Sequence, residues 1–176
     1  MLNLLRKILV VFVCLLFSIN IGLSQNKDST FLSRNTFYLD VASKGAYYSL
    51  NYDRIFRQGD KLNYSFRIGF SILKDVVALP LGVNLFTGKK DNHLEFNITV
   101  MPYIDQYKSF LSKNDLSDKY LYVVSGIGYR YQKWGGGFFF KTALSPMLIL
   151  DPRSSDFWKM DPEVKVAVNI SAGWSF

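Results

Sequence analysis

The stretch Val164-Lys165-Val166-Ala167-Val168-Asn169-Ile170-Ser171-Ala172-Gly173-Trp174-Ser175-Phe176 alternates without a break. Val164, Val166, Val168, Ile170, Ala172, Trp174 and Phe176 share one parity. Lys165, Ala167, Asn169, Ser171, Gly173 and Ser175 share the other. Side chains of a strand point to opposite faces with period 2. The stretch therefore predicts a strand with one wholly apolar face and one small or polar face, ending on an aromatic residue.

Seven further segments upstream carry strand character, separated by turn signals. The first, about 36–42, sets Phe37, Leu39 and Val41 against Tyr38, Asp40 and Ala42, and Lys44-Gly45 follows as a tight turn. The second, about 47–56, sets Tyr48, Leu50, Tyr52 and Phe56 against Ser49, Asn51 and Asp53, with Arg54 the exception on the apolar side. After Gln58-Gly59-Asp60, the third sets Leu62, Tyr64, Phe66, Ile68, Phe70 and Ile72 against Asn63, Ser65, Arg67, Gly69 and Ser71. The fourth, 77–85, contains Pro80, which has no N–H for a ladder, so a local bulge or irregular segment is expected there. The fifth (94–101), sixth (121–131) and seventh (138–145) alternate in the same way. Longer polar stretches near 105–119 and 151–162 separate the fifth from the sixth and the seventh from the last.

At the other end, Arg6 and Lys7 precede an almost wholly apolar run from Ile8 to Ile21, and Gly22-Leu23-Ser24 supplies small residues for cleavage. This is the grammar of a secretory signal peptide over residues 1–24. The run of about 14 apolar residues falls short of the ~20 that a spanning helix needs. Cys14 follows Val13 inside the run, which is not the setting of a lipoprotein cysteine. Cleavage removes this single cysteine, so no disulfide is expected. It also removes two of the 21 basic residues, and against 14 acidic ones this lowers the formal charge from +7 to +5. Residues 25–35 then read as a short polar lead and 36–176 as one domain. With no further apolar stretch of helix length, any residence in a membrane must be as a barrel. Neither a basic helix nor a nucleic-acid motif is present, so no nucleic-acid partner is expected.

Eight up-and-down strands also describe a soluble lipocalin-like barrel with its apolar face inward. Three features favour the inverse arrangement. The polar parity is rich in Gly, Ala, Ser and Asn, which suits the tight interior of an eight-stranded barrel. Phe37, Phe56, Tyr64, Phe96, Tyr129, Tyr131, Phe138, Trp174 and Phe176 gather on the apolar parity near one set of turns, as an interfacial girdle does. Short turns alternate with long connections, apart from the short one between the first two segments, as in membrane barrels.

The inward parity then carries Asp40, Asp53, Arg67, Glu95, Arg130, Lys141 and Lys165. Charges in a narrow interior must pair. Three acids against four bases fit a structural salt-bridge network, and a narrow ion path is the sharper alternative. His93, the single histidine, falls beside a short turn with Glu95 two residues on. It reads as a solvated turn histidine, with a His-Glu base as the alternative. One histidine and no mature cysteine argue against zinc, and the acidic residues near 151–163 match no calcium loop. No metal, cofactor or catalytic residue is assigned. Tyr107 and Phe110 in one long loop, and Phe157 and Trp158 in the other, are the candidate contact residues, because loops on a rigid scaffold often carry binding. Phe157-Trp158 also fits a girdle.

The terminal strand ending in Trp174 and Phe176, with the signal peptide, resembles the small eight-stranded outer-membrane barrels of Gram-negative bacteria, such as the OmpA transmembrane domain and OmpX. The resemblance covers nearly the whole mature chain and rests on architecture. It implies an all-β, eight-stranded antiparallel up-and-down transmembrane β-barrel in the outer membrane, with a structural or surface-binding role; with no serine motif partnered to His93, no enzyme activity is expected. It further implies contact with outer-membrane lipids and recognition of the Trp174/Phe176 end by the barrel-assembly machinery, and the charge of +5 suits contact with anionic headgroups or lipopolysaccharide phosphates. No peptidoglycan-binding domain is expected after Phe176. A lipid-modifying outer-membrane enzyme and a soluble periplasmic lipid-binding barrel are the alternatives.

Overall fold

The alternation along the chain becomes nine strand pieces in the computed structural model, which describes residues 32–42, 47–73, 76–88, 90–105, 118–150 and 163–176. The expected signal peptide, most of the lead, Lys44-Gly45, and Tyr107, Phe110, Phe157 and Trp158 lie outside the described residues. The pieces are β1 (Asn35–Ala42), β2 (Tyr48–Arg57), β3 (Leu62–Leu73), β4 (Val76–Ala78), β5 (Leu81–Thr87), β6 (Asn92–Asp105), β7 (Asp118–Gln132), β8 (Gly137–Leu150) and β9 (Glu163–Ser175). Each pairs antiparallel with its neighbours, and β1 pairs with β9 from Thr36↔Ser175 to Ala42↔Asn169. The sheet is thus closed and leaves no free edge.

β4 and β5 are one stave of an eight-stave barrel. Ser71↔Ala78 and Ile68↔Leu81 lie on a single register against β3, and Ala78↔Tyr103 and Leu81↔Val100 do so against β6. The register passes Pro80 without a bulge, and the irregular segment expected there is the break at Leu79-Pro80 that parts β4 from β5. Gly69 still donates to the Pro80 carbonyl (2.8 Å) and Leu79 to the Pro102 carbonyl (3.0 Å). Directly opposed residues of a narrow pair exchange two bonds, so the proline removes one of them and leaves the alignment intact. The ladder does shift its register between Ile55 and Arg57 on β2, opposite Ser65 and Tyr64.

The long strands run further than their alternation suggested. Asp105, Asp118 and Lys119 belong to β6 and β7 rather than to a loop, and β8 continues through Pro146 to Leu150. Pro146 still aligns with Val166 of β9, while the β7–β8 ladder skips the positions opposite Pro146 and Ser145. The chain tolerates this proline because one side of the strand stays paired.

Burial fixes the direction that parity leaves open. Phe37, Leu50, Ile68, Phe70, Val83, Ile98, Leu144, Ile170 and Trp174 are all exposed on the outer surface, whereas Asp40, Asp53, Glu95, Arg67, Arg130 and Lys141 are buried inside. A soluble globule does the reverse. On the outer face at the turn end, aromatic rings touch from strand to strand: Phe37 with Phe176 (5.8 Å between centroids) and Tyr52 (5.2 Å), Phe56 with Tyr64 (6.3 Å), and Tyr131 with Phe138 (6.4 Å). Small residues allow close approach where needed. A Cβ on Gly173 would lie 2.0 Å from the Phe37 carbonyl oxygen and 2.5 Å from the Tyr38 backbone.

Candidate functional site

The interior is layered along the barrel axis, and it departs from the uniformly small or polar face that the alternation predicts. At the turn end Ile55 and Phe86 pack with Trp134, and Phe139 is fully buried. The end of the expected lead is tied onto this plug, with Leu32 and Ser33 donating to the Trp134 carbonyl (3.1 and 3.2 Å). At the loop end Ala78, Met101, Tyr103, Tyr122, Met147 and Ile149 form an apolar wall, with the Tyr103 and Tyr122 rings stacked at 5.0 Å. The charges lie between these two layers.

Arg130 on β7 is the centre of the charged layer. It is fully buried, and its guanidinium reaches Asp53 (3.1 Å) and Glu95 (3.0 Å). It also donates to Gln132 Oε1 from Nε (2.9 Å) and Nη2 (2.5 Å). Phe86 and Phe139 hold their ring faces 4.2 and 5.1 Å from its Cζ, a favourable placement for a desolvated cation. Glu95 accepts Lys141 Nζ at 2.5 Å as well. Asp53 accepts from Ser65 Oγ (3.1 Å) and Asn84 Nδ2 (2.5 Å). Two acids and two bases in this group thus balance.

A second group joins β1, β2, β3 and β9. Arg67 pairs with Asp40 at 3.1 Å and donates from Nε to Asn51 Oδ1 at 3.0 Å. Ser171 Oγ donates to Asp40 Oδ1 at 3.1 Å. The structure therefore brings Asp40, Asp53, Arg67, Glu95, Arg130 and Lys141, all predicted from the sequence, into ion pairs. Lys165 keeps the inward parity, half-buried and opposite Met147. Between the charged layer and the apolar wall lies a chamber of about 40 Å³, lined among others by Asp40, Arg67, Asn97, Thr99, Lys141 and Asn169. One water needs ~10–15 Å³ of such space, so the chamber has room for a few waters.

His93 is not the solvated turn histidine that its position suggested. It is 2 % exposed. Its Nδ1 donates to the Thr87 carbonyl, and its ring meets Phe86 edge-on at 5.1 Å. The strand parity of β6 carries it inside. Glu95, its supposed partner, is engaged by Arg130 and Lys141. Among the described residues, no group of three or more His, Cys, Asp or Glu side chains is placed to hold a metal ion.

Sequence reasoning missed Gln132, Asn84 and Ser65 as partners of the charges, and Phe86, Phe139, Ile55 and Tyr38 as interior bulk. The signal was present, since all lie on the inward parity of their strands. A large aromatic on that parity, where small residues are the rule, marks a place where the interior must be filled. Trp174 and Phe176 stand on the outer surface, and the Phe176 N–H and carbonyl exchange bonds with Asn35 (2.8 and 3.0 Å).

No protein-family model and no curated protein matches the chain. Its fold is similar to the N-terminal β-barrel domain of Pseudomonas aeruginosa OprF, with a TM-score of 0.53 and 12 % identity. The match covers 82 % of this chain and 98 % of that one. At that identity the likeness concerns the fold, which is a closed eight-stranded antiparallel barrel.

Proposed function

We propose that the chain is a non-enzymatic integral β-barrel of a bacterial outer membrane, with a filled, salt-bridged interior. It acts as a structural element or binds at the surface through the stretches 106–117 and 151–162. The observation that carries this reading is the inversion of the barrel wall. Large apolar side chains cover its outside on every stave while its buried charges pair within. Water is a poor solvent for such a surface and lipid a good one. The likeness to the OprF barrel domain supports the same placement. The apolar plug and the small chamber favour a closed interior over an ion path.

Export by residues 1–24, recognition of Trp174 and Phe176 by the assembly machinery, and contact of the loops with lipopolysaccharide or a protein partner belong to the same reading. The test is heat modifiability. Isolated outer membranes are run on an SDS gel unheated and boiled, and a mobility shift in that fraction is expected. Recovery from the soluble fraction with no shift would refute the membrane reading. A lipid-modifying enzyme is disfavoured by the burial of His93 against Phe86. A lipase or acyltransferase activity abolished by His93→Ala in a still-folded barrel would reinstate it.

A further inference from the structure

Within the strands, the described side chains on the outer face include two charged ones, Arg54 and Arg57, both at the turn end of β2. Parity alone would turn Arg57 inward, in line with Ser49, Asn51, Asp53 and Ile55. The register shift between Ile55 and Arg57 brings it out instead. Bulges commonly re-aim a side chain in this way. Arg57 then lies over the Tyr64 ring at 5.6 Å. Arg54 stands opposite Phe66 on β3 and Asn35 on β1. Two aromatic pairs frame it, Tyr52 with Phe66 on one side and Phe56 with Tyr64 on the other, each 6.3 Å apart. Neither arginine has a carboxylate partner among the described residues.

More positive charge surrounds them. Arg34, whose carbonyl accepts from the Ile55 N–H (2.9 Å), and Lys61 at the start of β3 are both exposed, with Asp60 the acidic neighbour in the turn. Further along the same two strands, towards the loops, the described outer face carries no charge and is mostly apolar: Leu50 beside Phe70, and Tyr52 beside Ile68. The surface thus has a cationic foot and an apolar strip leading away from it.

We infer that this patch binds an anionic phospholipid of the leaflet at the turn end. Arg54 and Arg57 take the headgroup phosphate, and the acyl chains lie along Leu50, Ile68 and Phe70. Paired guanidiniums match a phosphate with forked donors, and excess positive charge selects a net anionic headgroup over a zwitterionic one. The apolar strip favours a lipid over a free anion. The inference rests on the membrane reading above.

The probe is phosphatidylglycerol, added to the full chain purified folded in neutral detergent, with retained lipid counted by native mass spectrometry. Each basic residue near such a surface contributes roughly a fivefold factor in affinity. Arg54→Gln and Arg57→Gln are each expected to lower phosphatidylglycerol retention about fivefold. Lys133→Gln, on another turn, is expected to leave it unchanged. Both arginines are exposed, so the variants should keep the heat-modifiable fold, and a gel checks this. Retention of phosphatidylcholine equal to that of phosphatidylglycerol would overturn the inference, as would retention that the arginine variants do not alter. Inorganic phosphate displacing the lipid completely at millimolar concentration would mark a free-anion site and overturn the lipid assignment. If the wild-type chain shows no heat-modifiable fold in membranes, the membrane reading itself has failed, which is a different result.

Discussion

Replacing Arg130 with Met tests whether the charged layer holds the barrel together. The side chain is fully buried and answers two carboxylates, Asp53 and Glu95. Its loss leaves Glu95 with Lys141, and leaves Asp53 with neutral donors from Ser65 and Asn84. The group then holds two acids and one base in a dry interior. Breaking a buried pair by removing one partner costs about 3–5 kcal/mol, because the other charge stays uncompensated. Methionine conserves much of the bulk between Phe86 and Phe139, so the loss reports charge more than volume. Adding Asp53→Asn removes the surplus charge and keeps an oxygen to accept from Ser65 and Asn84. The double variant should recover about 2 kcal/mol of the loss. The assay is urea unfolding of Arg130→Met, Asp53→Asn and the double variant in lipid vesicles, followed by tryptophan fluorescence and by mobility in unheated SDS. A single variant within about 1 kcal/mol of wild type would refute the reasoning, as would two losses that simply add.

Other perturbations probe the wall and the backbone. Ile98→Lys, on the outer face near the middle of β6, should cost about 2–4 kcal/mol in a bilayer, measured by the same urea titration, and a neutral effect would contradict lipid contact there. Gly173→Val should abolish heat modifiability, since its Cβ would meet the Phe37 carbonyl and the Tyr38 backbone; a folded variant would show that β1 and β9 are not so closely apposed. Pro80→Ala should leave stability within about 1 kcal/mol, because the regained bond to Gly69 is offset by a more flexible unfolded chain. A loss of several kcal/mol would mean that the unbroken register described for β4 and β5 is wrong.

Much of the architecture is legible in the residues. The alternation in β3 and β9 is nearly free of exceptions, and Asp40, Asp53, Arg67, Glu95, Arg130 and Lys141, all on the inward parity, are buried. Prolines set the limits of this reading. Pro80 interrupts its strand without shifting the register and β8 runs on through Pro146, because a closed sheet supplies neighbours on both sides that hold the register when one bond is missing. His93 was misread for a related reason. Its nearness to a turn suggested solvent, but the short connection leaves the strand parity in force up to residue 93, and Phe86 waits inside.

The sequence by itself determined the number of staves, the two parities, and which residues share a face, because a strand's period of 2 is local. Only the tertiary structure decided which parity faces out, since alternation is symmetric to that choice and burial is not. Only closure of the barrel could bring Asp53 and Arg130, 77 residues apart, within reach across the interior. The slip in the β2–β3 ladder that turns Arg57 outward beside Arg54 is likewise a property of two strands aligned together, and no single strand encodes it.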